Sequence, residues 1–219
     1  MRLIANFHKG EALRFISHLD IQRLLQRALK RADMPVSYSQ GFNPHPLLAF
    51  SSALALGYTS DAEWMDVRME EAVDPQEFPA RLNAVLPEGL RVVRAMEIPM
   101  ELPTLTALMQ RAEYIVDMCF AVPLEAAYVE RTLAHMLEGP IVVNKKTKGG
   151  MKDVDMRPLL IAAKVLEAGA HTRLWIDSVL NASGGLQMEL FLKAFACALG
   201  EEASWRVHRS LVQFDKIEG

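Results

Sequence analysis

Cysteine is scarce. Only Cys119 and Cys197 occur in 219 residues, too few and too isolated for a disulfide framework or a thiolate metal site. Each lies in apolar sequence, FAV after one and LKAFA before the other, which points to buried free thiols. The spacing CxxxCxxC, three thiolates that hold an iron–sulfur cluster for cleaving S-adenosylmethionine, is absent, and the chemistry of a radical enzyme is absent with it. No apolar run is long enough to span a bilayer, and MRLIANFHKG lacks the apolar core of a signal peptide, so the expected location is the cytoplasm, with no membrane partner. His8, His135, His171 and His208 fall at no metal-ligand spacing, and neither metal nor cofactor is expected.

Apolar residues make up 51% of the chain, ample for a core. The net charge of −3 hides an asymmetry: residues 1–60 hold 7 basic and 3 acidic side chains, residues 61–103 hold 4 basic and 10 acidic. A protein that coats nucleic acid indiscriminately is basic overall, so a polyanion here must meet a local patch.

That patch is legible between Ser17 and Pro46. Ile21, Leu24, Leu25, Ala28, Leu29 and Ala32 recur at the spacing of one helical face, and Ser17 with Asp20 forms a capping box that starts the helix near His18. Arg23, Arg27, Lys30 and Arg31 occupy the opposite side, with no acid between Ile21 and Ala32. This is either a solvated basic face or a surface for phosphates. Met34-Pro35 ends the helix. The loop Ser39 to Pro46 follows, stiffened by Pro44 and Pro46, with Gly41 free to take positive φ and with Gln40, Asn43 and His45 presented together. A rigid connection explains such a loop, and so does recognition.

FISHLD, followed after one helix by SQGFNPHP, closely resembles the radical-SAM-linked protein family (domain of unknown function 2344), found alone or fused to the C-terminal side of a radical S-adenosylmethionine enzyme. The resemblance continues through LALGYTSDAEWMDVRMEE, LNAVLPEGLRV and KKTKGGMKDVDMRPL and covers most of the chain. At GGLQMELFLKAF the family pattern has an arginine-proline at the helix start that is missing here. The resemblance implies a radical SAM protein as partner.

Along the chain, strands are expected at Arg2–Phe7, resuming at Leu13–Ile16, and at Leu47–Leu54, Glu63–Met69 and Leu90–Met96, with a second helix capped by Asp74. The His8–Glu11 and Thr59–Asp61 stretches read as turns. After the prolines at 99 and 103 the order repeats: strand Tyr114–Phe120, helix Leu124–Leu137, strands Ile141–Lys145, Leu159–Glu167 and Arg173–Val179, helix Leu186–Ala198 and strand Arg206–Phe214. The expected fold is α+β, two tandem ferredoxin-like (βαββαβ) halves with antiparallel sheets, the second half carrying an inserted β-hairpin. Domain limits are expected at 1–100 and 113–219, with 101–112 as linker.

The inserted hairpin carries Lys145, Lys146, Lys148 and Lys152, a cationic finger able to follow a phosphate backbone or simply a solvated turn. His18 and His45 are the candidate acid–base residues, and they approach each other if the loop folds back over the helix start. Tyr38, Phe42 and Phe15 are candidates for stacking on bases. Together with the family resemblance, which implies the partner, these features predict a non-catalytic, RNA-binding accessory or substrate-presenting protein acting with a radical S-adenosylmethionine enzyme in modification of transfer or ribosomal RNA. In that reading Arg23, Arg27, Lys30, Arg31, Lys145, Lys146, Lys148 and Lys152 hold phosphates, and Gln40, Asn43 and His45 read a nucleotide. The alternatives are a metal-independent endoribonuclease of the CRISPR repeat-processing type, whose ferredoxin-like build is the analogy, and a protein-only adaptor docking through the acidic 61–103 segment.

Overall fold

A computed structural model describes residues 1–147 and 149–217. The fold is mixed α+β with antiparallel strand pairing, and the chain divides into two compact units. One is Met1–Met109 joined by the chain end from Phe214; the other is Gln110–Gln213. No helix among the described residues is long and apolar enough to cross a membrane.

The first unit runs β1 (Arg2–Lys9), α1 (His18–Arg31), β2 (Leu48–Phe50), β3 (Tyr58–Arg68), α2 (Glu77–Asn83), β4 (Leu90–Glu97) and a single turn α3 (Leu105–Leu108). Its strands lie in the order β4-β1-β3-β2, with antiparallel neighbours throughout. Strand alternation sends Leu3, Ala5 and Phe7 to one face, where they meet Ile21, Leu25, Ala28 and Leu29 of α1 and Phe78 and Leu82 of α2. Burying each of the larger side chains stabilises the unit by about 1.5–3 kcal/mol.

The opposite face of β1 carries buried Arg2 and Asn6 on either side of the apolar Ile4. Arg2 is 1% exposed and grips Asp66 through Nε (3.2 and 3.1 Å) and Nη2 (2.6 Å). Its remaining protons go to the carbonyls of Pro99, Leu102 and Pro103. The connector after β4 is thus tied down by one guanidinium. Trp64 on the same face meets Phe214 edge to face at 5.7 Å.

Several local expectations are corrected. Leu13–Ile16 forms no strand; a 3₁₀ turn at Glu11–Leu13 follows β1 directly, and the buried amine of Lys9 takes the carbonyls of Arg14 (3.2 Å) and Ile16 (3.1 Å) that a ladder would have used. Thr59–Asp61 belongs to β3 rather than to a turn, because the Asn6 amide bonds the carbonyls of Asp61 and Glu63 and extends the pairing. The strand at Leu47–Leu54 shrinks to Leu48–Phe50. Helix α2 starts two residues later than a cap at Asp74 implies, although the Asp74 carboxylate does accept from the Gln76 N–H at 2.8 Å.

The second unit runs β5 (Met109–Phe120), α4 (Ala126–Glu138), β6 (Val142–Thr147), β7 (Gly150–Asp155), β8 (Leu160–Glu167), β9 (His171–Asn181), the two-residue β10 (Gly184–Gly185), α5 (Met188–Ala198) and β11 (Ala203–Phe214). The order in its sheet is β11-β5-β9-β8, with β10 also on β9. Strands β6 and β7 form a separate two-stranded ribbon, so Ile141–Lys145 is the first arm of the hairpin and not a strand of the sheet. Both cysteines are exposed, against expectation: Cys119 follows the fully buried Met118 and so faces outward, its Sγ 3.2 Å from His171 Nδ1.

Candidate nucleic-acid interface

Helix α1 starts at His18, with Ser17 as cap: the Asp20 N–H donates to Ser17 Oγ (3.2 Å), and the hydroxyl donates onward to the Asp20 carboxylate (2.6 Å). The return bond therefore runs between side chains rather than to the Ser17 backbone. The helix ends with Asp33 in the left-handed region (φ 53°), the Met34 N–H reaching the Leu29 carbonyl and the Asp33 N–H that of Lys30. Arg81 holds the carbonyls of Ala32 and Asp33.

The four cations of α1 are all exposed, spread over about 12 Å of helix axis. Their surroundings differ. Asp20, just ahead of the acid-free run, reaches Arg23 at 3.0 Å. The Ser17 hydroxyl first, and the Arg23 guanidinium second, hold the Asp20 carboxyl below its ordinary range. Among the described residues the Arg27 guanidinium bonds the Arg23 carbonyl (3.2 Å), and that of Arg31 the carbonyl of Val85. The Lys30 ammonium has no hydrogen-bond or ion-pair partner among the described residues.

The loop is a closed ribbon. Tyr38 and Pro46 form an isolated antiparallel bridge, the Ser39 N–H donates to the His45 carbonyl (2.9 Å), and the His45 N–H donates to Ser39 Oγ (3.1 Å). Ser39 Oγ also lies 2.8 Å from His45 Nδ1, which orients the ring and leaves Nε2 as its other nitrogen. Gly41 takes φ 126° at the tip, where Gln40, Phe42 and Asn43 are exposed; Phe42 is 105% exposed. His18 stacks edge to face on Phe50 at 5.1 Å instead.

Helix and ribbon share concave surfaces. Arg23, Gln26, Arg27 and Lys30 face Tyr38 and Pro46 across a cleft of about 410 Å³. Arg27, Lys30 and Arg31 also wall a hollow of about 770 Å³ lined by Leu24, Val85, Leu86 and Pro87. On the far side of Pro46, a third concavity of about 550 Å³ is lined by His45, Leu47, Leu48, Ala49, Arg68, Met69 and Met100. Its residues past β2 escape sequence reasoning. Gln26 was readable, since it stands three residues after Arg23 on the basic side, but nothing in the pattern of β3 marks Arg68.

In the second unit, Lys145 and Lys152 are register partners on β6 and β7, and Lys146 stands opposite Met151. Lys145 is half-buried and lines a cavity of about 340 Å³ with Asn181, Ser183 and Gln187. Lys146 and Lys152 are exposed; Lys148 lies outside the described residues. Among the described residues no group of three or more His, Cys, Asp and Glu is arranged to hold a metal ion.

Comparison with known proteins adds family and fold. Residues 2–189 match the model of DUF2344, described as an uncharacterized protein conserved in bacteria. A chain in the crystal structure of a Cbf5-Nop10-Gar1 complex superposes with a TM-score of 0.56 at 12% identity, covering 98% of this chain and 50% of that one. A chain in the structure of an H/ACA RNP bound to a substrate RNA containing 2′-deoxyuridine superposes with a TM-score of 0.51 at 10% identity, covering 94% and 46%. The protein thus spans about half the length of the solved chains it is similar to, and the likeness is one of fold. No curated protein matches.

Proposed function

The chain belongs to the DUF2344 family, and from that premise we propose that it is an RNA-binding accessory protein which presents RNA to a radical S-adenosylmethionine enzyme for modification. The observation that carries the reading is the cleft in which Arg23, Arg27 and Lys30 face Tyr38 and Pro46. Cations on a rigid helix beside a closed ribbon hold phosphates in register, while the ribbon tip offers amide, imidazole and aromatic groups to a base. Each half, with its helices between strands in the order 4-1-3-2, is read as ferredoxin-like, and 101–112 as the segment joining two such domains. A structural relative from an H/ACA RNP bound to a substrate RNA supports an RNA-related use of this fold. Transfer or ribosomal RNA is the proposed substrate class, and Lys145, Lys146, Lys148 and Lys152 supply further phosphate contacts. The radical enzyme as partner rests on the family resemblance of FISHLD and SQGFNPHP.

The test is a salt titration of binding to a small structured RNA. Affinity should fall steeply with salt, and replacing Arg23, Arg27 and Lys30 together by Ala should flatten the log–log slope by about 2. Binding that is absent or indifferent to salt overturns the reading.

A further inference from the structure

The concavity beyond Pro46 sets an apolar wall beside Arg2, Asp66 and Arg68, and among the described residues Arg68 has no carboxylate partner. Arg2 and Arg68 are backbone register partners on β1 and β3. The single carboxylate beside them, Asp66, is taken by Arg2 in a buried bidentate pair. Arg68 Nη1 donates to the thioether of Met100 at 3.0 Å. Sulfur is a weak acceptor, and a guanidinium prefers an oxyanion or the face of a π-system. Around Arg68 lie Leu47, Leu48, Ala49 and Met69, with His45 on the rim. A volume of about 550 Å³ is within the range of pockets that hold small organic groups.

The three hollows form a series. The first two share Arg27 and Lys30, and the cleft and the concavity share Pro46 as a wall. Arg23, Arg27 and Lys30 line the side of Pro46 towards α1, and Leu47, Leu48, Ala49 and Met69 line the other together with Arg68. This is the distribution that a single strand of nucleic acid requires, with its phosphates on the charged track and a base turned off it into an apolar slot. A duplex keeps its bases stacked inside and has nothing to put there.

We infer that the RNA held by this protein is unpaired where it crosses Pro46, and that one base enters the concavity against Leu48 and Met69 with Arg68 stacked on it or bonded to its flanking phosphate. The inference rests on the RNA-binding reading above and adds to it the strandedness of the ligand and a base site.

Ala49→Trp fills the slot from an exposed strand position without changing charge, and Arg68→Gln removes the cation. The probes are a fluorescein-labelled oligoadenylate strand and a fully paired RNA duplex of equal length, titrated by fluorescence anisotropy. Each variant should lose about tenfold in affinity for the single strand and bind the duplex as the parent does. Arg68→Gln should also lower the salt slope by about 1, while Ala49→Trp leaves it unchanged. If both variants bind the strand like the parent while Arg23, Arg27 and Lys30 replaced by Ala weaken it, the base site is wrong and the RNA-binding reading stands. If the parent binds neither probe, or binds only the duplex, the base site falls, and in the first case the reading falls with it.

Discussion

Lys145 and Lys152 are direct cross-strand partners in the β6–β7 ribbon. Like charges in that relation destabilise a two-stranded ladder, so the ribbon is weaker than the same backbone with an opposite-charge pair. Lys152→Glu should stabilise the hairpin by about 0.2–1 kcal/mol, read as slower amide exchange across β6 and β7. The same change should weaken RNA binding at low salt. A variant with a firmer hairpin and unaltered affinity would reduce the lysines to a solvated ribbon.

The Arg2–Asp66 pair predicts a large, non-additive effect. Arg2→Met strands a carboxylate that is 7% exposed and frees the 99–103 connector, at a cost of about 3–5 kcal/mol in denaturant unfolding. Adding Asp66→Leu should recover part of that loss, because no charge is then left buried alone. A double-mutant coupling below about 0.5 kcal/mol would contradict the buried pair.

Lys9 sets a pH dependence. Burial pulls its pKa below the ordinary 10.5, with Glu63 opposing the shift. The folded protein therefore gives up this proton more readily than the unfolded chain. Between the folded pKa and 10.5 the unfolded state binds more protons, and stability rises with pH through that window. Urea unfolding of the parent against Lys9→Met should show the parent gaining on the variant from neutral pH towards 10.5. A difference that is flat or falls would show that the amine is not desolvated.

What was legible depended on whether a local pattern decided the outcome. The spacing from Ile21 to Ala32 and the Ser17 cap are local, and α1 starts where they say. Its end depends on Asp33 adopting φ 53° and on Arg81 arriving from α2, which no nearby residue announces. Thr59–Asp61 has turn composition, yet the ladder with β1 overrides it. Apolar neighbours in sequence do not bury the cysteines, because alternation along β5 puts Cys119 outside next to the buried Met118. For the candidate interface, the α1 cations and the ribbon tip stand in one short stretch and could be proposed together. The Arg68 concavity is assembled from β2, β3 and the 99–104 connector, with Met1 on its wall, and emerges only in three dimensions.

Strand β1 is buried at every position except the half-exposed His8, and both its neighbours come from later sequence, β3 ending at Arg68 and β4 at Glu97. During synthesis β1 must therefore wait for its lateral partners, roughly 5–20 s at typical elongation rates. Throughout that interval RLIANF is an apolar, extended stretch with open edges. Expression yield should thus respond to chaperone supply and growth temperature more than the stability of the finished protein suggests.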